Sequence, residues 1–404
     1  MHIAMVTDYY LPTLGGVQTA IKAAKERLKQ LGHQTTVYCP LHEPLQDPDV
    51  VGLPTSSVFK PDGFPFTWSP QAAIDSLTTR LAQDRVDVVH VHSEMFAALA
   101  GIKAAHTLGI PLVQTMHGRV DVYTAKVLPV PQLTTVLLAG LHKRHLPHVA
   151  IPADPSAPYM HTAVARRMWR LMINQANAAD EVIVPSAHFA EKLVRQGMTA
   201  PVAVLSNGLE DSVLEYVGEP HVRKHTAGEP LQVMWCGRVS PEKRPDAFVR
   251  AVAAAGESVH ASMYGDGLAM GKVRALISRL GVGHRVHLRG SVPQHEVLDA
   301  MATHHVFVSS SYDFDNQPMV ILEALATGLP IVVSDPDLTE GLPTGGFLVA
   351  DSPSPQDLGA VLARLAGSDS KVSEMSAAVC ADDRSLAHGD HGAELLAVYE
   401  RVTR

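Results

Sequence analysis

The chain has 404 residues, 46% of them apolar and 18% charged, and a net charge of −8. That length exceeds one ordinary core and predicts two domains, while the composition excludes a disordered chain. The acidic balance excludes a general nucleic-acid binder, whose footprint is basic.

Taken in chain order, the first forty residues predict a β-α-β unit. Ile3 to Thr7 is an apolar strand, and a loop follows that ends in Gly15-Gly16-Val17. Ala20, Ile21, Ala24, Leu28 and Leu31 then recur at helical spacing, Gly32 ends the helix, and Thr35 to Cys39 is the next strand. No leader precedes the first strand and no run of 18 apolar residues follows, so neither a signal peptide nor a membrane span is expected. Cys39, Cys236 and Cys380 lie far apart without metal-ligand spacing, which fits a reduced, cytoplasmic protein.

Further along, His90 and His92 alternate on one strand face. That spacing suits a metal pair, but it equally marks a strand end near a binding rim, and no metal is expected. From Gly118 to Met172 there are seven Arg or Lys (Arg119, Lys126, Lys143, Arg144, Arg166, Arg167, Arg170) against Asp121 and Asp154. The same stretch is rich in apolar side chains, among them Leu133, Val136, Leu137, Met168 and Trp169. A basic amphipathic island in an acidic protein can dock on an anionic membrane; the alternative is an ordinary helical excursion with snorkelling cations. Within it, His142, His145 and His148 are expected on a polar helix face.

Glu181 to Val184 and Val202 to Leu205 predict strands, and the domain boundary falls near Gly208. The strand-loop-helix plan restarts at Leu231 to Cys236. Gly237-Arg238-Val239-Ser240-Pro241-Glu242-Lys243 forms the loop, Asp246 to Ala255 the helix, and His260 to Tyr264 the next strand. Gly265-Asp266-Gly267 lacks the third glycine of a dinucleotide fingerprint. Val306 to Val308 is a strand, a polar loop holds Asp313 and Asp315, and a helix runs from Pro318 at its first position to about Thr327. Gly328 fits its C-terminal cap, and Ile331 to Val333 follows as a strand. The loop His388-Gly389-Asp390-His391 precedes a last short helix around Glu394 to Tyr399.

In open α/β sheets, ligands bind outside the carboxyl ends of the strands. The loops there carry the unusual residues. The backbone N–H groups of Met319 and Val320, in a first helical turn, suit a phosphate. Arg238 and Lys243 are cations for a diphosphate, and Asp315 and Glu323 are acceptors for sugar or ribose hydroxyls.

With these residues in view, the chain resembles glycosyltransferase family 4, the retaining nucleotide-sugar transferases of GT-B fold. The resemblance rests on Gly237-Arg238 with Lys243, Tyr264-Gly265-Asp266-Gly267, Arg285 to Gly290, Ser309-Ser310-Ser311 and Glu323-Ala324 to Pro330. In the first half it rests on Gly15-Gly16, Val113 to Gly118, Val184-Pro185-Ser186 and Ser206-Asn207-Gly208.

The resemblance implies an α/β GT-B architecture, two Rossmann-like doubly wound domains facing a shared cleft. Residues 1–208 would form the acceptor-side domain and 209–385 the nucleotide-sugar domain, with 386–404 a helix crossing back to the first. Arg238 and Lys243 would hold the diphosphate, Glu323 the ribose, and Asp315 the transferred sugar, where the family often has Glu; Asp313 is the alternative. Met319 and Val320 amides would contact sugar and phosphate, and the turn around Val286 the base. Gly15 and Gly16 would allow close approach to the donor, and His117 would lie at the reaction centre. The donor, a substrate and not a cofactor, would be a UDP- or GDP-sugar. The acceptor could be a sugar, a small molecule or a lipid, met in the last case at the inner face of the cell membrane. A nucleotide-sugar epimerase, a phosphorylase of the same fold and a non-catalytic binding module remain the alternatives.

Overall fold

The structure is a computed structural model that describes residues 1–11, 15–41, 43, 45–55, 65–67, 69–128, 130–146, 153–382 and 391–404. His148 and residues 388–390 of the expected final loop lie outside the described residues. The chain divides into two compact units after Glu210, two residues past the expected boundary, and the C-terminal helix belongs to the first unit.

The first unit is a seven-stranded parallel sheet: β1 (His2–Val6), β2 (Gln34–Pro40), β3 (Val50–Leu53), β4 (Val88–Val91), β5 (Leu112–Thr115), β6 (Glu181–Val184) and β7 (Val202–Val204). Their spatial order is β3-β2-β1-β4-β5-β6-β7. The helices are α1 (Gly16–Gln30), α2 (Pro70–Gln83), α3 (Phe96–Leu108), α4 (Val120–Val127), α5 (Pro131–His145), α6 (Ala163–Ala176) and α7 (Ala187–Arg195), with the C-terminal helix spanning His391–Val402.

A parallel sheet must be covered on both faces, and the alternation along each strand shows how this is met. Ile3, Met5, Val37, Val88, Val113 and Ile183 face Ile21 and Leu28 of α1 together with Leu395 and Val398 of the C-terminal helix. Ala4, Val6, Val89, Val91, Val182 and Val184 face the other core, which includes Leu77 of α2, Leu99 of α3 and Trp169 of α6. The last helix is therefore part of the first unit's core. Tyr399 is fully buried, and Arg401 pairs with Glu181.

The second unit is a six-stranded parallel sheet: β8 (Leu231–Cys236), β9 (Val259–Tyr264), β10 (Val286–Gly290), β11 (Val306–Ser309), β12 (Ile331–Val333) and β13 (Phe347–Val349). The order is β10-β9-β8-β11-β12-β13. Its helices are α8 (Asp211–Val217), α9 (Pro245–Ala255), α10 (Met270–Leu280), α11 (Gln294–Thr303), α12 (Met319–Ala326), α13 (Pro355–Ala366) and α14 (Lys371–Ala381). In both sheets the chain order reverses beside the first strand of the unit, which is where a doubly wound sheet opens a crevice at the carboxyl ends.

One boundary corrects the sequence reading. Pro318 is the N-cap of α12 and not its first helical residue, with φ −69° and ψ 127°. At the other end Thr327 is the C-cap. Gly328 at φ +78° donates to the Leu325 carbonyl and Leu329 to the Ala324 carbonyl, a Schellman closure. A Cβ on Gly328 would also lie 2.7 Å from the His221 carbonyl oxygen, so glycine is needed there twice over.

Candidate functional site

The second unit gathers its charged residues at the carboxyl ends of β8 and β11. β8 ends at Cys236, and the loop after it is laced to the turn after β9. Gly237 N–H donates to the Tyr264 carbonyl (3.1 Å), Val239 N–H to that of Asp266 (2.9 Å) and Ala269 N–H to that of Val239 (2.9 Å). Contact this close requires Gly265, which has φ +120° and whose Cβ would sit 1.9 Å from the Gly237 carbonyl oxygen. The glycine turn thus acts structurally, holding the Arg238 loop in place.

Arg238 donates from Nη2 to Glu242 Oε1 at 3.0 Å, and Ser240 hydrogen-bonds the same oxygen. The Glu242 side chain is fully buried while that of Arg238 is one-third exposed, so a buried acid fixes a cation at the surface. Lys243, two residues after Pro241, sends Nζ to Asp315 Oδ1 at 2.6 Å and lies 5.4 Å from the Phe314 ring centroid. Ser310, just past β11, accepts from Trp235 Nε1 (3.0 Å) and donates to the Lys243 carbonyl (2.8 Å), pinning the lysine backbone to the neighbouring strand.

Of the two loop acids, Asp315 is the one brought onto Lys243. Asp313 stands at φ +48° with its N–H held by Asp335 Oδ2 at 2.6 Å. Met319 and Val320 open α12 directly after Pro318, and Ile321 N–H donates to the Pro318 carbonyl (2.9 Å). Amides in a first helical turn have no helical partner and favour an anion. Glu323 is buried within α12 and accepts from Gln294 Nε2 at 2.6 Å. Burial pushes the Cys236 thiol up, and the nearby Glu323 carboxylate adds to this.

Val286 is a correction. It is not in a turn but begins β10, paired with Ala261 and 4% exposed within the second unit's core. The carboxyl end of that strand is Gly290, followed by the loop that leads to Gln294. Gln294 and Glu242 were missed. Glu242 had a signal, an acid between two expected cations, whereas Gln294 had none.

In the first unit Gly15 caps α1 with extended backbone (φ −170°), and its carbonyl accepts from Thr19 N–H and Oγ1; Gly16 is the first helical residue. His117 follows β5, half-buried, with Nε2 3.2 Å from His92 Nδ1. His92 lies over His90, ring centroids 3.9 Å apart. Both nitrogens of His90 are engaged, Nδ1 with Tyr399 Oη and Nε2 with Thr115 Oγ1, each at 2.7 Å. The row joins a ring contact between His90 and His92 to a hydrogen bond between His92 and His117. Burial pushes His117 down to about 4 and His90 to about 3, the latter also lowered by His117.

The basic island divides in two. Arg119 is 4% exposed, gripped bidentately by Asp121 at 2.7 Å through Nε and Nη2, with its guanidinium 5.0 Å from the Tyr159 ring and 5.5 Å from that of Trp169. Met168 and Trp169 are fully buried. His142 is 5% exposed with Nδ1 on the Leu138 carbonyl, so it is not on a polar helix face. The exposed part is α5: Leu133, Val136 and Leu137 are each more than half exposed. They lead at i, i+3 and i+4 spacing into Lys143 and Arg144. Beside them a groove of about 300 Å³ is lined by Val136, Gly140, Lys143, Arg167, Arg170 and Leu171.

Fixed cations and helix amides for a diphosphate, next to a buried carboxylate for hydroxyls, are the parts needed to hold a nucleotide-sugar. HepE of Anabaena, solved in complex with UDP, is 16% identical with a TM-score of 0.69, covering 98% of this chain and 100% of that one. The fold is thus GT-B.

Two family models match in tandem, glycosyltransferase family 4 over residues 14–213 and glycosyl transferases group 1 over 230–368. The GDP-mannose-dependent alpha-mannosyltransferase of Mycobacterium tuberculosis is 24% identical over 83% of this chain and 79% of its own length. The alpha-monoglucosyldiacylglycerol synthase of Acholeplasma laidlawii is 23% identical over 86% and 83%. The chain belongs to glycosyltransferase family 4 and is a nucleotide-sugar-dependent hexosyltransferase.

Proposed function

We propose that the enzyme transfers a hexose, with retention of configuration, from a UDP- or GDP-sugar to the hydroxyl of a lipid or lipid-linked acceptor at an anionic membrane surface. The observation that carries the acceptor side is the outward apolar row of α5, Leu133, Val136 and Leu137, ending in Lys143 and Arg144. Apolar area and adjacent cations together are what an interfacial helix uses to bind anionic lipid. The diacylglycerol in the name of the Acholeplasma enzyme supports the same reading.

On the donor side, cleavage of the sugar–phosphate bond develops negative charge on the leaving diphosphate. Arg238, Lys243 and the Met319 and Val320 amides would stabilise that charge most in the transition state. Asp315 would orient the sugar and Glu323 the ribose. The departing phosphate would take the acceptor proton, so this reading needs neither a protein base nor a metal.

The test joins two measurements. Thermal stabilisation with UDP, GDP and their sugars should single out one nucleotide, and at a hundred times its dissociation constant this ligand adds about 2.7 kcal/mol. Vesicles containing dioleoylphosphatidylglycerol should sediment the protein at low salt, and Leu137→Asp should release it. No shift with any nucleotide would sink the donor assignment; no sedimentation would sink the membrane one.

A further inference from the structure

Two acids are buried at the carboxyl ends of β1 and β4, and the fold treats them differently. Asp8 is saturated. It accepts from Ser93 Oγ (2.7 Å), Met95 N–H (3.0 Å), Ala97 N–H (2.7 Å) and Ala98 N–H (3.4 Å). α3 has no side-chain cap of its own, and Asp8 supplies one from another strand.

Glu94 is 8% exposed, yet its Oε1 has no hydrogen-bond partner among the described residues. Its backbone is nevertheless held. Gln175 Nε2 donates to the Glu94 carbonyl (3.1 Å), and Gln114 Nε2 to that of Ser93 (3.3 Å). Oε1 of the fully buried Gln114 is also without a partner. Folded proteins leave few buried polar atoms unmatched, so a pinned backbone under an unmatched carboxyl marks a position kept for something else. Glu94 stands two residues after His92, which contacts His117. Burial, and secondarily the Asp8 charge, push its carboxyl up to about 8, so at neutral pH it carries a proton to donate.

We infer that Glu94 is a specificity-determining residue of the first unit, hydrogen-bonding a hydroxyl of the acceptor. This rests on the reading that the first unit takes a hydroxyl-bearing acceptor. It goes beyond that reading in naming the side chain.

The test uses the full chain with Glu94→Gln, which keeps a donor, and Glu94→Met, apolar and of equal length. Three quantities are read: the melting temperature without ligands, the release of sugar to water from UDP-glucose or GDP-mannose, and the KM for dioleoylglycerol dispersed in dioleoylphosphatidylglycerol vesicles. The expected result is a higher melting temperature for Glu94→Met, since function and not stability retains the acid. With it come a KM raised about tenfold or more, restored to within about threefold in Glu94→Gln, and donor hydrolysis within about twofold of the parent. Melting temperatures that fall in both variants would mean that the carboxyl is structural and would overturn the inference, as would an unchanged KM in Glu94→Met. If the parent hydrolyses donor but transfers nothing to dioleoylglycerol, the lipid reading fails instead, and the melting comparison still decides the role of Glu94.

Discussion

Lys243 and Asp315 hold each other at 2.6 Å, so a diphosphate reaching Lys243 meets a cation that is already engaged. The two substitutions should therefore separate binding from turnover. Asp315→Asn releases the lysine and should tighten binding of the bare nucleoside diphosphate while lowering transfer, because the neutral amide is a weaker acceptor for sugar hydroxyls. Lys243→Ala should weaken both and lower turnover by about tenfold or more, about 1.4 kcal/mol of barrier. Calorimetric titration with UDP and GDP, beside saturated-donor rates, checks the pair; weaker diphosphate binding by Asp315→Asn would contradict the assignment. Arg238, Lys243 and Glu323 were legible as candidates because family spacing names them, while Asp315 stood beside Asp313 as an alternative. What sequence could not convey is which partners they have at rest. The conformation of a single loop sets Glu242 beneath Arg238, and the folding of separate segments sets Gln294 against Glu323.

At the scale of elements, the donor loop depends on the turn that crosses it. Gly265→Ala would place a methyl 1.9 Å from a backbone carbonyl at a φ of +120°, and neither backbone can yield cheaply. The substitution should cost a few kcal/mol of stability and abolish nucleotide-induced stabilisation, both visible in a melting curve. A variant that melts and binds like the parent would show that the turn is not what holds Arg238. Strands were the most legible elements, because buried parallel strands are short apolar runs: Leu231–Cys236 and Ile331–Val333 were placed to the residue. Val286 shows the limit. The family resemblance implied a turn around it, but only the pairing with Ala261 reveals which end of the strand it occupies. The basic island shows another limit, since composition cannot separate Arg119, stacked inward on Trp169, from Lys143, which faces out.

Across the whole molecule, buried histidines make stability depend on pH, and the two units differ in how many they hold. In the first unit burial pushes His90 to about 3, His117 and His142 to about 4, and His92 well below its ordinary value. In the second unit, burial pushes His305 to about 4 and lowers His304. A base depressed in the folded state is protonated first in the unfolded one, so its stabilisation is intact above about pH 6.5 and is lost as pH falls toward the folded value. Each such histidine removes about 1.4 kcal/mol per pH unit across that window. Glu94, raised to about 8, works in the opposite sense, since stability is lost as pH rises from the ordinary carboxylate range toward 8. In the first unit the four histidines outweigh the two acids that burial raises, Glu94 and Asp8, below pH 6.5, and above it these acids act without them. The first unit should therefore be most stable near pH 6.5. Scanning calorimetry from pH 7 to pH 5 should lower its transition more than that of the second unit, splitting one endotherm into two. The Glu94→Gln variant should lessen the decline between pH 6.5 and 8 and keep the acid limb. A single transition that moves equally with pH in both units would show that these histidines are not held neutral by the fold.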